Sequence, residues 1–133
     1  MRAMAPVMLT SAEAAALHPA PVFTPVKLSR LKLLAVDVNP KIREAAASSL
    51  HAPAELLGRL AADPNVGVRT VVARNEATPC DVFRTLAGDR SEKVRGFLAL
   101  NFAVPADVMD LLAEDVSATV RGLVRWKSEH TTS

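Results

Sequence analysis

Four arginines, Arg43, Arg69, Arg95 and Arg121, stand at a constant interval of 26 residues, and each lies six residues after an aspartate, Asp37, Asp63, Asp89 or Asp115. This pattern allows two kinds of chemistry. A guanidinium offers five donors in a planar fork that matches a carboxylate or a phosphate. If each Arg meets an Asp, the columns form a charge-assisted ladder that ties the copies of the motif together. If the Arg side chains are free, they line a groove and track a phosphate backbone. The Asp column is as regular as the Arg column, so the ladder is the favoured reading. It predicts that Asp63, Asp89 and Asp115 cap helices and contact arginines, within one copy or across neighbouring ones.

No other residue set points to catalysis. His18, His51 and His130 lie far apart and never pair with a second ligand at metal spacing. Cys80 is the only cysteine, which excludes an intrachain disulfide and any site built from several thiolates. Its place in the first turn of a helix would lower a thiol pKa, but it also matches the small residues Ala54 and Ala106 of the neighbouring copies, and that plainer role is preferred. There is no Ser-His-Asp set, phosphate-cradling glycine loop or paired carboxylates beyond those explained by capping. The expectation is a non-enzymatic protein with no catalytic residues, no metal and no cofactor.

The elements that position the columns follow from the period. Leu34, Leu60, Leu86 and Leu112, each followed by Ala, keep the same interval as the Asp and Arg columns, without a gap from Leu34 to Trp126. A fixed period in this range is the signature of stacked supersecondary units that cannot bury their apolar faces alone. Each unit carries two helix signals. The first starts at Pro53, Pro79 or Pro105, read as N1 prolines, with Thr78 as a cap and Glu55, Asp81 and Asp107 two residues on. The second starts after the Asp column: Asp63 reads as a cap before Pro64, and Asp89 forms a capping-box pattern with Glu92. Its apolar stripe joins Ile42, Val68, Val94 and Val120 to Ala46, Val72, Leu98 and Val124. Asn75 and Asn101 close it as residues tolerant of the left-handed conformation, with Ser49 and Lys127 at that position in the outer copies.

Composition agrees with one small helical module. The 133 residues are half apolar, enough for a single core, while aromatics are scarce and Tyr is absent, unlike a β-sandwich. The net charge of +2 is spread among interspersed acidic and basic residues, with no basic block that would by itself imply nucleic acid. The run Met4 to Leu9, broken by Pro6, is weaker than a secretory signal, and no stretch is long enough to span a bilayer. Together with the lone cysteine, this gives the expectation of a cytoplasmic chain, away from membranes.

The strings Val68 to Asp89, VRTVVARNEATPCDVFRTLAGD, and Val94 to Asp115, VRGFLALNFAVPADVMDLLAED, resemble the leucine-rich repeat variant pattern within the wider armadillo and HEAT-like α-solenoids. The resemblance implies an all-α, right-handed solenoid of 26-residue repeats. Each repeat would pair an α-helix with a shorter, partly 3₁₀ one, with no sheet. Members of that family can carry an N-terminal iron-sulfur module held by clustered cysteines, which has no counterpart here. Three segments follow: residues 1–24, a degenerate cap with a short helix from Thr10 to His18; residues 25–127, the solenoid; and residues 128–133, a disordered polar tail. Terminal units are expected to be polar outside, as Lys27, Arg30 and Lys32 indicate for the helix after Thr24 and Pro25.

Specificity belongs where the columns stop agreeing. In the second helices the residue after the Arg is Glu44, Thr70, Gly96 or Gly122, and four later stands Ser48, Arg74, Leu100 or Trp126. These share a face, and by the resemblance second helices line the concave side. The leading expectation is a scaffold that binds another protein or a peptide, or a second copy of itself, through Arg74, Leu100, Gly122, Arg125 and Trp126. Leu100 and Trp126 are expected to share one apolar patch, with Trp126 either an interface anchor or a lid on the last repeat. The alternative is nucleic-acid backbone binding by the same face through Lys41, Arg43, Arg69, Arg74, Lys93 and Arg95.

Overall fold

Apolar residues at helical spacing, punctuated by prolines and cap residues, leave no segment that reads as a strand. The structure, a computed structural model, describes residues 24–131. Among them are eight α-helices and no strand: α1 (Pro25–Ala35), α2 (Pro40–Ala47), α3 (Ala54–Leu60), α4 (Val66–Arg74), α5 (Cys80–Leu86), α6 (Glu92–Leu100), α7 (Ala106–Ala113) and α8 (Ala118–Thr131). The helix expected from Thr10 to His18 lies outside the described residues.

The local signals act, with shifts. Thr24 caps α1 by accepting the N–H of Lys27, and Pro25 follows at N1. Pro53, Pro79 and Pro105 sit one residue earlier than expected, in the cap position, where the extended backbone suits the proline ring. Thr78 is no cap: it is buried, and its hydroxyl donates to the Val72 carbonyl at 2.8 Å. Glu55, Asp81 and Asp107 occupy the first turns, where their charge complements the helix dipole. Among the described residues no 3₁₀ segment appears. Phe83 N–H donates to Pro79 O at 3.1 Å in α-helical fashion, and tightening is confined to the ends, as where Gly88 N–H meets Thr85 O.

The second helices begin later than the Asp column implied. Their caps are Asn39, Asn65 and Ser91, and Asn65 Oδ1 accepts from both Gly67 and Val68. Asp37, Asp63, Asp89 and Asp115 instead each accept the N–H two residues on, at 2.8–2.9 Å, making the turn that leads into the helix. Nor do Asn75 and Asn101 adopt a left-handed conformation: their φ values are −75° and −79°.

Helices α2, α4, α6 and α8 pack against one another in succession, while α3, α5 and α7 each lean on the second helix that follows. Val68, Val72, Val94, Leu98 and Val120 from the first group meet Leu57, Phe83, Leu86, Val108 and Leu112 from the other in one buried cluster. Ala47, Ala73 and Ala99 are wholly buried, a small-residue column that keeps successive second helices close. Helix α8 overruns the expected disordered tail. It continues to Thr131, whose hydroxyl donates to Lys127 O at 2.9 Å, and Trp126 stacks on His130 one turn on. Lys27, Arg30 and Lys32 are exposed, as expected, and Val26, Leu33, Val36, Val38, Leu111 and Val116 are exposed as well. Among the described residues no helix is long and apolar enough to cross a membrane.

Candidate binding face

The Arg and Asp columns meet across neighbouring copies. Arg43 donates through Nε and Nη2 to the two carboxylate oxygens of Asp63, at 2.8 and 3.1 Å. Arg69 does the same to Asp89 at 2.9 and 3.4 Å, and Arg95 to Asp115 at 2.8 and 3.3 Å. The spacing of six has a different cause. Nη1 of Arg43, Arg69 and Arg95 donates to the backbone carbonyl of the Asp six residues earlier, at 2.7–2.8 Å. Each guanidinium therefore clamps the entry turn of its own second helix while holding the carboxylate that shapes the next turn. Burial pushes the Asp63 carboxyl up. The bond from Arg43, the Asn65 N–H and the charges of Arg43 and Arg69 outweigh it and hold the group below the usual carboxylate range. The Asp63 bond in turn raises the Arg43 guanidinium.

These contacts remove Arg43, Arg69 and Arg95 from the phosphate-tracking set, because their donors face carboxylates and their side chains are largely covered. Of the remaining three, Lys41 is exposed and pairs with Glu44 at 3.5 Å. The Arg74 guanidinium lies over the Phe97 ring, 5.3 Å from its centroid, and Lys93 is exposed.

A second ladder was hidden behind the helix-closing role of the asparagines. Asn75 Nδ2 donates to Ala47 O and Ser49 O at 2.8 and 2.9 Å. Asn101 Nδ2 repeats this on Ala73 O and Asn75 O at 2.8 and 3.2 Å. The amide thus satisfies carbonyls at the end of the preceding second helix. Lys127 takes over in the last copy: Nζ donates to Asn101 O and lies 5.4 Å from the Phe102 centroid, and burial pushes its pKa down. The signal in the sequence is that asparagine recurs at the same interval as the Arg and Asp columns, which marks a contact between copies and not only a local stop.

The open face holds what the ladders leave. Ser48 and Arg74 line a groove between α2 and α4, and Arg74 and Leu100 line the next, between α4 and α6, with Phe97 and Phe102. A third groove, of about 420 Å³, lies between α6 and α8 and is lined mainly by Gly96, Phe97, Leu100, Thr119 and Leu123, with Glu92 and Lys93 beside them. A Cβ on Gly96 would come within 3.3 Å of Leu123 Cδ1, so this glycine admits the α8 side chain. Gly122 meets nothing within 4 Å and does not shape the depression. Leu100 shares the groove with Leu123; Trp126 does not line it and remains 46% exposed, stacked on His130 with centroids 4.3 Å apart. Arg125 is exposed. Thr70 is withdrawn from the face: it is buried, with its hydroxyl on Val66 O at 2.7 Å. Phe97, Phe102 and Leu123 are face residues that the column argument missed, because Phe97 and Leu123 belong to a column whose other members are Ala45 and Val71 and so look like core.

Among the described residues no three His, Cys, Asp or Glu side chains gather as a metal-ligand set. Comparison with protein-family models, with curated proteins and with solved structures finds no match.

Proposed function

We propose that this chain is a short right-handed α-solenoid of 26-residue repeats, akin to the leucine-rich repeat variant proteins, acting in the cytoplasm as a non-enzymatic scaffold for a protein or peptide segment. One observation carries the reading. Arg43, Arg69 and Arg95 with Asp63, Asp89 and Asp115, and Asn75 and Asn101, are engaged in contacts between copies, while Ser48, Arg74 and Leu100 of the varying column line successive grooves, and the groove between α6 and α8 is predominantly apolar. Exposed apolar surface in a concave setting is surface that water would rather leave. Arg74, Leu100, Gly122, Arg125 and Trp126 remain the proposed contact set, joined by Phe97 and Leu123.

The test is selection of peptides from a random library on the immobilised chain, followed by affinity measurements. Leu100→Glu should weaken the selected peptides by at least about tenfold, and Trp126→Ala by about 2 kcal/mol if the partner buries that ring. Affinity should change little with salt. Failure to select any peptide, together with oligonucleotide binding that falls steeply as salt rises, would replace this reading with nucleic-acid binding through Arg74, Lys93 and Lys41.

A further inference from the structure

Arg74 is a cation held in place without a carboxylate. Its guanidinium rests on the Phe97 ring, 5.3 Å from the centroid, and its donors meet no acceptor among the described residues. Stacking takes up one face of the guanidinium plane, whereas the N–H groups leave from its edge. The ring therefore orients the fork and leaves it open to a carboxylate.

Phe97 also joins this cation to the apolar depression. It lines the groove between α4 and α6, where Arg74 stands, and the groove between α6 and α8, which Leu123 shares. Neighbouring packed helices lie roughly 8–10 Å apart, so the two grooves are about one such step from each other. An extended peptide covers that distance in about three residues, at about 3.3 Å each.

The charges along these grooves disfavour a polyanion. Glu76 lines both grooves that Arg74 lines, and Glu92 stands next to Lys93 at the groove between α6 and α8. Each of these two cations thus has an acidic neighbour, which repels a run of phosphates but still admits one carboxylate at the Arg74 fork.

We infer that the segment taken up by this face is an extended peptide in which an acidic residue, paired with Arg74, stands about three residues from an apolar residue seated between α6 and α8. This rests on the reading of the chain as a peptide-binding scaffold and adds the recognition element to it. The apolar groove anchors the peptide, and the pair with Arg74 fixes which of its residues enters that groove.

Selection from a random peptide library on the full chain, run in parallel on wild type and Arg74→Glu, tests this. Wild type should enrich peptides with Asp or Glu about three residues from an apolar residue. Arg74→Glu should enrich Lys or Arg at the acidic position and keep the apolar one. In an enriched peptide, exchanging the acid for its amide should weaken binding to wild type at least about threefold and leave binding to Arg74→Gln unchanged. Should Arg74→Glu lose its helical circular dichroism, Arg74→Gln takes its place in the selection and must abolish the acidic preference. Peptides that share an apolar residue without an acid at a fixed distance, or the same motif on both chains, would overturn this inference and leave the scaffold reading standing. No enrichment on wild type would overturn both.

Discussion

Arg69 and Arg74 stand five residues apart on α4 and meet opposite surroundings. Arg69 is buried, with its fork on Asp89 and its remaining edge on the carbonyls of Asp63 and Pro64. Arg74 is exposed and rests on the Phe97 ring. The first belongs to a column that is Arg in every copy, the second to one that reads Ser48, Arg74, Leu100 and Trp126. In a stacked chain, regularity in a charged column marks attachment between copies, and irregularity marks the surface left for something else.

Removing one member of each region gives the sharpest contrast. Arg69→Ala leaves Asp89 largely covered and without its cation, and should lower the unfolding free energy by about 3–5 kcal/mol, the usual result of breaking a buried pair from one side. Arg74→Ala should stay within about 0.5 kcal/mol, as exposed substitutions do. Urea denaturation reads both. Equal losses would mean that the ladder is incidental to folding. A control lies on the other helices: Arg84 and Asp107 approach to 2.8 Å, the same distance as the ladder pairs, with both side chains about half exposed. Asp107→Asn should lower the denaturation midpoint far less than Arg69→Ala does, since exposed pairs are screened by solvent and only a small helix-dipole contribution is lost with the charge.

The asparagine ladder should give the next largest effect. Asn101→Ala leaves Ala73 O and Asn75 O without the side-chain donor that reaches them from the next copy. A loss of about 1–3 kcal/mol is expected from buried acceptors left unsatisfied. A loss as small as that of Arg74→Ala would return these asparagines to the role of simple helix stops.

Acid titration probes the ladder without truncating it. The folded-state pKa of Asp63 lies below its unfolded value of about 3.9. Its contribution is therefore complete above that value and is lost as pH falls through the folded-state pKa, because the unfolded chain then binds the proton more readily. The stability difference between wild type and Asp63→Asn should be constant near neutrality and shrink as pH falls below about 4. A difference that persists unchanged in acid would show that the Asp63 charge contributes nothing.

What the sequence disclosed was the contact pattern more than its geometry. The constant interval joined Arg to Asp correctly, but the spacing of six arises from the Asp carbonyl, whereas the carboxylate comes from the following copy. Asp63 and Asn65 are both competent caps two residues apart, and no local rule separates them. The geometry separates them: Asp63 Oδ1 accepts the Asn65 N–H while Asn65 Oδ1 caps α4, the same arrangement as at Asp37 and Asn39, where no guanidinium meets the carboxylate among the described residues. The end of α8 was illegible for a similar reason. Polar residues from Ser128 onward read as a tail, but the Trp126–His130 stack and the Thr131 hydroxyl extend the helix, and the tryptophan turns along α8 instead of joining Leu100.

The smallest effect separates the two glycines that the sequence treated alike. Each stands inside a helix, where glycine costs about 1 kcal/mol relative to alanine. Gly122 is exposed and an added Cβ meets nothing, so Gly122→Ala should recover most of that amount. Gly96 is buried, and its Cβ would press within 3.3 Å of Leu123 Cδ1 at the groove between α6 and α8. Gly96→Ala must displace that side chain, so its gain should fall short of the other by at least about 0.5 kcal/mol, the order of mild overpacking. Thermal denaturation of the two variants side by side makes the comparison. Equal stabilisation would show that Leu123 yields freely, and the groove would then be a deformable surface instead of a shape held ready for an apolar side chain.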